Sequence, residues 1–345
     1  MKALVYTGIG KVELLDRPTP VIQEPTDAIV RLLHASICGT DLHILKGDVP
    51  TAQPGRILGH EGVGVVESVG STVRSLSPGD QVLISCMTSC GACHFCQRGM
   101  PSHCTTGGWI LGHTIDGTQA EFVRVPHAAL SLHRLPSSIN PRAALALSDS
   151  LPTALECGVL SANVQPGSSV VIVGAGPVGM AALLTARLFS PSLIAMVDLD
   201  EARLATAKKL GAHVTINPSE QDAREKLLAL TDQAGFDCVI EAVGIPATFD
   251  LCQDLVAVGG RIANVGVHGV PVKLHLEKLW DRNISIHMSL VNATTTQRLL
   301  KLLDSNLLDI SSLVTHHFPL HEGLGAYDTF RAAADHQALK VAIDF

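Results

Sequence analysis

Four cysteines, Cys90, Cys93, Cys96 and Cys104, stand in C-x2-C-x2-C-x7-C spacing within a chain of 345 residues. That spacing lets one short loop fold its sulfurs onto a single tetrahedral zinc ion. Four thiolates complete the coordination shell and leave no position for water, so such a centre holds a loop and performs no chemistry. His94 and His103, inside the same loop, then read as solvated loop residues. The chain has nine cysteines in all. Its size, the absence of a basic-then-apolar leader in MKALVYTGIGKVELLDRP, and the metal spacing of four of them favour reduced thiols over a disulfide framework.

The length exceeds what one growing core usually occupies, so two domains are expected. Hydrophobic residues make up 46% and charged residues 17%, a composition that excludes disorder. A formal charge of -7 and the lack of any Lys/Arg run leave no basic stripe for nucleic acid. The most apolar stretch, from Val170 to Val197, is broken by Gly174, Gly176, Pro177, Gly179, Arg187 and Pro191, so no membrane span is expected there. A cytoplasmic protein with no membrane or nucleic-acid partner is the resulting expectation.

From residue 1 to about 150 the chain reads as short strands separated by turns, among them DAIVRLLHASI, GVGVVESVGS and GDQVLISC, with SPGD as a tight turn. This is a barrel-like, mostly β region. From 151 to 287 strand and helix alternate: SVVIVG, a helix from Pro177 to Phe189, LIAMVDL, a helix through EARLATAKKLGA, HVTIN, a polar helix, FDCVIEAVG and RIANVGV. Apolar strands alternating with amphipathic helices imply an α/β, doubly wound parallel sheet. The segment 288–345 carries a helix, TTTQRLLKLL, and a final strand, LKVAIDF, that is expected to return to the first domain.

VVIVGAGPVGM places Gly174, Gly176 and Gly179 as G-x-G-x-x-G directly after an apolar strand, with Pro177 and Val178 opening the next helix. Glycine permits the tight turn and a close backbone approach, and the helix N-terminus faces a pyrophosphate. Asp198, at the end of the following strand, is placed to accept hydrogen bonds from both ribose hydroxyls and to repel a 2'-phosphate, which favours NAD over NADP. Arg203 nearby is either a partner for that phosphate or a helix residue pairing with Asp200 or Glu201.

A second ligand set lies in three fragments: SICGTDLH with Cys38, ILGHEGVG with His60 and Glu61, and ALSDSLPT with Asp149. Taken singly, Cys38 reads as a small buried hydrophobe, His60 as a hydrogen-bonded core residue and Asp149 as a helix cap. Taken together, they offer three ligands and leave a fourth position open for water or a substrate oxygen. With the C-G-T-D-x-H and G-H-E motifs, the four-cysteine loop and the glycine turn all present, essentially the whole chain resembles the zinc-dependent medium-chain alcohol dehydrogenases.

That resemblance implies a GroES-like β-barrel catalytic domain (1–150 and 288–345) and a Rossmann NAD-binding domain (151–287), with the active site in the cleft. It implies two Zn2+ per chain: a catalytic ion on Cys38, His60 and Asp149, the last matching the branch that uses Asp and rivalled by Cys157, and a structural ion on the four cysteines. Glu61 is expected beside the catalytic ion, orienting its ligands. Thr40, able to hydrogen-bond a substrate hydroxyl, and His43, with the intrinsic pKa of a proton carrier, match the family's relay. Trp109 matches a residue lining the substrate pocket of tetrameric bacterial secondary-alcohol enzymes, and Lys340 a basic position at the cofactor phosphate. The implied reaction is reversible hydride transfer between NAD and a small secondary or primary alcohol, giving ketone or aldehyde, in a homotetramer. A polyol or amino alcohol is the alternative substrate, and a zinc- and nucleotide-binding protein without activity is the alternative of another class.

Overall fold

A computed structural model describes residues 1–345, which divide into two compact units, Met1–Asp149 with Asn292–Phe345, and Ser150–Val291. In chain order the first unit begins with β1 (Lys2–Gly8), β2 (Lys11–Asp16), β3 (Ala28–Ile37), helix α1 (Gly39–Lys46), β4 (Arg56–Ile57), β5 (Gly62–Val69), β6 (Gln81–Ile84), β7 (Phe122–Val125) and β8 (Leu132–Arg134). The second unit contains β9 (Ser169–Val173), α2 (Pro177–Arg187), β10 (Leu193–Val197), α3 (Glu201–Lys209), β11 (Val214–Ile216), α4 (Ala223–Ala229), β12 (Phe236–Glu241), α5 (Pro246–Leu255), β13 (Val256–Asn264) and β14 (Ser285–Met288). The chain ends with α6 (Thr296–Asp304), β15 (Val314–Pro319), α7 (Gly323–Arg331) and β16 (Lys340–Asp344).

In the first unit a seven-stranded sheet runs β15-β16-β3-β5-β6-β8, with β7 also paired to β3, and a small sheet β2-β1-β4 stands beside it. β3 is the hub, because its ten residues pair with β5, β7 and β16. Its buried side chains feed two cores. Val30 and Leu32 pack with Val66, Val82, Ile84 and Val123, whereas Ile37 packs with Leu4, Ile44, Leu58, Tyr327 and Val341. Each such aliphatic side chain, fully buried, contributes about 1.5–3 kcal/mol. The final strand, β16, lies antiparallel to β3 with Ala342 opposite Ser36, which places Lys340 deep in this unit.

The second unit is a six-stranded, wholly parallel sheet in the order β11-β10-β9-β12-β13-β14. After Ser169, strand β9 is a continuous, buried apolar run, Val170–Val173, as a strand covered on both faces must be. Helix α2 starts with Pro177 at its first turn, where a missing N–H costs nothing, and Asp200 caps α3 by accepting from the amides of Ala202 and Arg203. One helical run, Pro141–Leu160, has the length and mean hydropathy of a membrane span, but 78% of it is buried in the fold.

His133 on β8 shows how the first unit responds to acid. Its Nδ1 accepts from Gln297 Nε2 at 2.8 Å, which leaves the proton on Nε2, a buried atom without a partner. Burial pulls the imidazole down to about 4. Because the folded value lies below the ordinary one near 6.5, the unfolded chain takes up the proton first, and stability falls as pH drops through the window between them. Urea unfolding of wild type and His133→Asn at pH 7 and pH 5 is expected to show wild type losing about 2 kcal/mol more than the variant over that step. Identical losses would mean that His133 titrates normally in the folded chain.

Candidate functional site

The first unit assembles one buried donor cluster from three distant segments. Cys38 is the residue that caps α1, in extended conformation, with its amide held at 3.0 Å by Asp41 Oδ2. His60 and Glu61 lie just before β5, after Gly59, whose φ of +92° suits glycine and where a Cβ would meet Gln119 and Thr118 at 2.7 Å. Asp149 is delivered by its neighbour. The Ser148 carbonyl accepts from the Cys86 amide at 3.0 Å, and Ser148 Oγ exchanges hydrogen bonds with the backbone of Gly62 at 3.2 and 3.3 Å. The ligand atoms of Cys38, His60, Glu61 and Asp149 consequently lie within 4.8 Å of one another. Asp149 Oδ2 is 3.5 Å from both Cys38 Sγ and His60 Nε2.

Electrostatics inside this cluster favour a cation. Burial, reinforced by Glu61 and Asp149, pushes the Cys38 thiol up. Burial opposes charge on His60, but Asp149 and Cys38 outweigh it and raise the imidazole well above its ordinary value. Glu61 is raised by burial against the pull of Lys340, and its Oε1 is buried without a partner. Acidic groups crowded together hold protons that a divalent ion would displace. A thiolate, an imidazole and a carboxylate around one point, with an unpartnered carboxylate oxygen beside them, are a donor set that fits zinc.

Thr40 and Trp109 lie beside the cluster, and His43 sits on the helix that Cys38 caps. Thr40 Oγ1 is 3.6 Å from Cys38 Sγ, and His43, three residues along the same helix, bonds through Nδ1 to Asp48 Oδ2 at 2.8 Å. Trp109 presents its ring edge-on to His60, with centroids 6.4 Å apart, and stacks at 4.2 Å on His113, itself tied to the Trp109 carbonyl and to Thr51. Cys157 is buried in the second unit, in the helical turn Ala154–Leu160, and is not part of the cluster.

Lys340 has a partner that the sequence did not suggest. Expected at a cofactor phosphate, it is only 2% exposed, and its ammonium pairs with Glu61 Oε2 at 2.5 Å. A buried carboxylate needs a cation more than a solvated phosphate does, and the pairing of β16 with β3 supplies it. Sequence reasoning also missed Ser36, which donates to Glu61 Oε2, and Cys86, whose thiol is hydrogen-bonded to Asp149 and pushed well up by burial. Neither carries a motif; only strand register could have found Ser36, opposite Ala342.

A second donor cluster gathers Cys90, Cys93, Cys96 and Cys104, again with all sulfurs within 4.8 Å. The Cys93 amide donates to Cys90 Sγ and the Cys90 amide to Cys104 Sγ, both at 3.3 Å. Backbone amides pull Cys93 down to about 5, whereas burial and its neighbours push Cys96 up to about 12. These sulfurs too are arranged for one ion, and neither His94 nor His103 belongs to the cluster.

In the second unit the glycine turn is built by packing. Gly174, at φ +107°, closes the turn, and a Cβ on Gly179 would lie 1.8 Å from the Gly174 carbonyl oxygen. Around Gly176 nothing comes within 4 Å of an added Cβ, so the backbone at the start of α2 is open to a ligand. Pro177 and Val178 form the first turn of that helix. Asp198 accepts from the Ala175 amide at 2.6 Å and the Asp200 amide at 2.9 Å, which ties the end of β10 to the turn. Arg203 faces Asp200 at 3.7 Å. An open helix N-terminus with an acidic residue beside it fits the pyrophosphate and ribose of a dinucleotide.

Comparison with known proteins agrees with both halves. The family model described as "Alcohol dehydrogenase GroES-like domain" matches residues 24–137, and "Zinc-binding dehydrogenase" matches 177–305. An alcohol dehydrogenase of Cupriavidus necator is 34% identical, with 99% of this chain and 98% of that protein covered. Among solved structures, zinc-dependent alcohol dehydrogenase 2 of Streptococcus pneumonia, in apo form, superposes with a TM-score of 0.96 at 51% identity over 100% of this chain and 98% of that one. Alcohol dehydrogenase of Thermus sp. ATN1 gives 0.92 at 35% identity over 100% and 99%. A zinc-binding dehydrogenase of Sinorhizobium meliloti bound to NADP gives 0.88 at 27% over 100% and 99%.

The glycine turn provides a test. Gly179→Ala is expected to lower stability by about 1–3 kcal/mol, because backbone must move to admit the methyl group. Gly176→Ala is expected to leave Tm unchanged and to weaken NADH binding about tenfold, a loss of 1.4 kcal/mol. Calorimetry and fluorescence titration read the two effects, and unchanged NADH affinity in Gly176→Ala would put the phosphates elsewhere.

Proposed function

The chain belongs to the zinc-dependent medium-chain alcohol dehydrogenase family, an α/β oxidoreductase family with a GroES-like domain and a Rossmann domain, and from that premise we propose the ligands, relay and cofactor with which it works. Catalytic zinc is held by Cys38, His60 and Asp149, and structural zinc by Cys90, Cys93, Cys96 and Cys104. The observation that carries this reading is the convergence of thiol, imidazole and carboxylate within 4.8 Å in a buried site. Zinc, when bound, supplies a Lewis acid that makes an alcohol oxygen more acidic, and the nicotinamide supplies the hydride acceptor.

The chain's own residues do the rest. Thr40 Oγ1, beside Cys38, accepts the proton of the substrate hydroxyl as it hands its own toward His43, whose ring is steadied by Asp48. Glu61, balanced between Lys340 and Ser36, keeps one oxygen free to orient the ligand set. Trp109 supplies an apolar wall next to His60, suited to a small secondary or primary alcohol. Asp198 selects NAD over NADP by repelling a 2'-phosphate, and the Asp200 partner of Arg203 keeps that guanidinium from offsetting the repulsion.

Self-association into a tetramer is supported by β14, the outermost strand of its sheet, and by the exposed Trp280, Met288 and Leu276 around it. Nine cysteines with no disulfide among them support a reducing, cytoplasmic location.

Three measurements bear on this reading. Oxidation of 2-propanol with NAD is expected to exceed that of ethanol and sorbitol, to fall at least tenfold with NADP, to vanish on prolonged chelation and to return with zinc. Asp149→Ala is expected to lower kcat/KM by 100-fold or more, beyond the roughly 10- to 100-fold cost of removing a supporting residue. Cys104→Ser is expected to lose one of two metals and to lower Tm. Folded, zinc-replete protein without activity on any alcohol or carbonyl would overturn the enzymatic reading; preference for sorbitol would shift the substrate to polyols.

A further inference from the structure

Beneath the metal cluster runs a chain of buried polar groups that the reaction does not use. Tyr327 Oη, on α7, donates to Gln119 Oε1 at 2.7 Å. Gln119 Nε2 donates to Asp41 Oδ2 at 3.0 Å and approaches the Ser36 carbonyl at 3.5 Å. The same Asp41 oxygen accepts the Cys38 amide at 3.0 Å. Next to Gln119, Thr118 Oγ1 donates to the Glu61 carbonyl at 2.7 Å. Asp41, Thr118 and Gln119 are fully buried and Tyr327 is 1% exposed.

We propose that Gln119 and Tyr327 are positioning residues for the catalytic metal, forming with Thr118 a clamp that fixes the segment bearing Cys38 against the segment bearing His60 and Glu61. The proposal rests on the reading of Cys38, His60 and Asp149 as zinc ligands. Its physical basis is the polarity of an amide. The Asp41 carboxylate accepts only, so it claims the NH2 end of Gln119, and the Tyr327 hydroxyl, which can donate, satisfies the carbonyl end and holds the amide from the other side. Without that donor the Gln119 carbonyl is a buried acceptor left unpaired, and the amide is held only at its NH2 end. Gln119 then shifts to find another donor, the bond that holds Asp41 on the Cys38 amide loosens, and the direction of the Cys38 side chain follows from that amide. Leu4, Ile37, Ile44, Leu58 and Val341 pack with Tyr327, and the Arg331 guanidinium lies over its ring at 6.0 Å. Aliphatic or phenyl side chains at 119 and 327 would fill such a core without burying polar groups, and what the polar pair adds is orientation.

The test uses the full chain carrying zinc at both centres and follows metal release to a chelating dye. Tyr327→Phe, which removes one oxygen and keeps the ring, and Gln119→Leu are expected to speed release from the Cys38–His60–Asp149 centre on the order of tenfold, the low end of what losing a supporting hydrogen bond costs a metal site. Release from the four-cysteine centre in the same sample is expected to stay at the wild-type rate. Cobalt exchanged into the first centre is expected to show an altered thiolate-to-metal absorption band in both variants. Tyr327→Phe decides the matter where Gln119→Leu does not fold. Unmoved release from the first centre in folded Tyr327→Phe, or equal acceleration at both centres, overturns the clamp alone. A wild-type chain that holds only the four-cysteine metal overturns the reading of the catalytic centre and the clamp with it.

Discussion

Burying several acidic donors beside one imidazole is the constraint on which the rest of the first unit depends. Glu61 and Asp149 raise the cost of ionising Cys38, Asp149 raises that of Glu61, and sequestration from water removes the screening that would soften it. One cation comes from the chain itself. Lys340 reaches Glu61 because β16 pairs with β3, so the C-terminal segment has to leave the second unit and return to the first. Removing one partner of such a pair would strand a buried charge, at a cost of about 3–5 kcal/mol. The remaining acidity calls for a metal, and the donor set fits zinc.

The second unit obeys a different constraint, the closeness of backbone to backbone. Gly179 sits so near the Gly174 carbonyl that no side chain fits, and this contact presses α2 onto the end of β9. Asp198 then bonds the Ala175 amide, so the glycine turn and the acidic residue of the next strand form one piece of structure. The sheet order reverses at β9, where β10 lies on one side and β12 on the other, and in open parallel sheets ligands bind at the carboxyl ends of the strands at such a reversal. A turn that looks like a local motif is therefore anchored by residues from two strands.

Much of this was legible in the order of residues because the signals are local or chemically unusual. Cysteines two and seven residues apart, a glycine pattern between an apolar run and a helix, and strand–helix alternation each describe a few consecutive residues whose physics is self-contained. Boundaries were less legible. RIANVGV reads as a strand, whereas β13 begins earlier, at Val256, and includes Gly259 and Gly260, which β propensity disfavours. The supporting residues of the donor cluster were least legible. Ser36 looks like one more polar residue in a strand, Cys86 like a core thiol, and Gln119 and Tyr327 stand 208 residues apart. Lys340 was noticed, but its pairing with Glu61, 279 residues away, was not.

The sequence by itself determined the fold class, the four-cysteine loop, the glycine turn and the identity of the donor-bearing fragments, because spacing and hydrophobic period express short-range geometry. Only the tertiary structure decided which donors converge, that Asp149 and not Cys157 completes the cluster, and that Lys340 neutralises Glu61. Those outcomes depend on which strand lies beside which, and strand pairing across hundreds of residues is set by the packing of the whole unit.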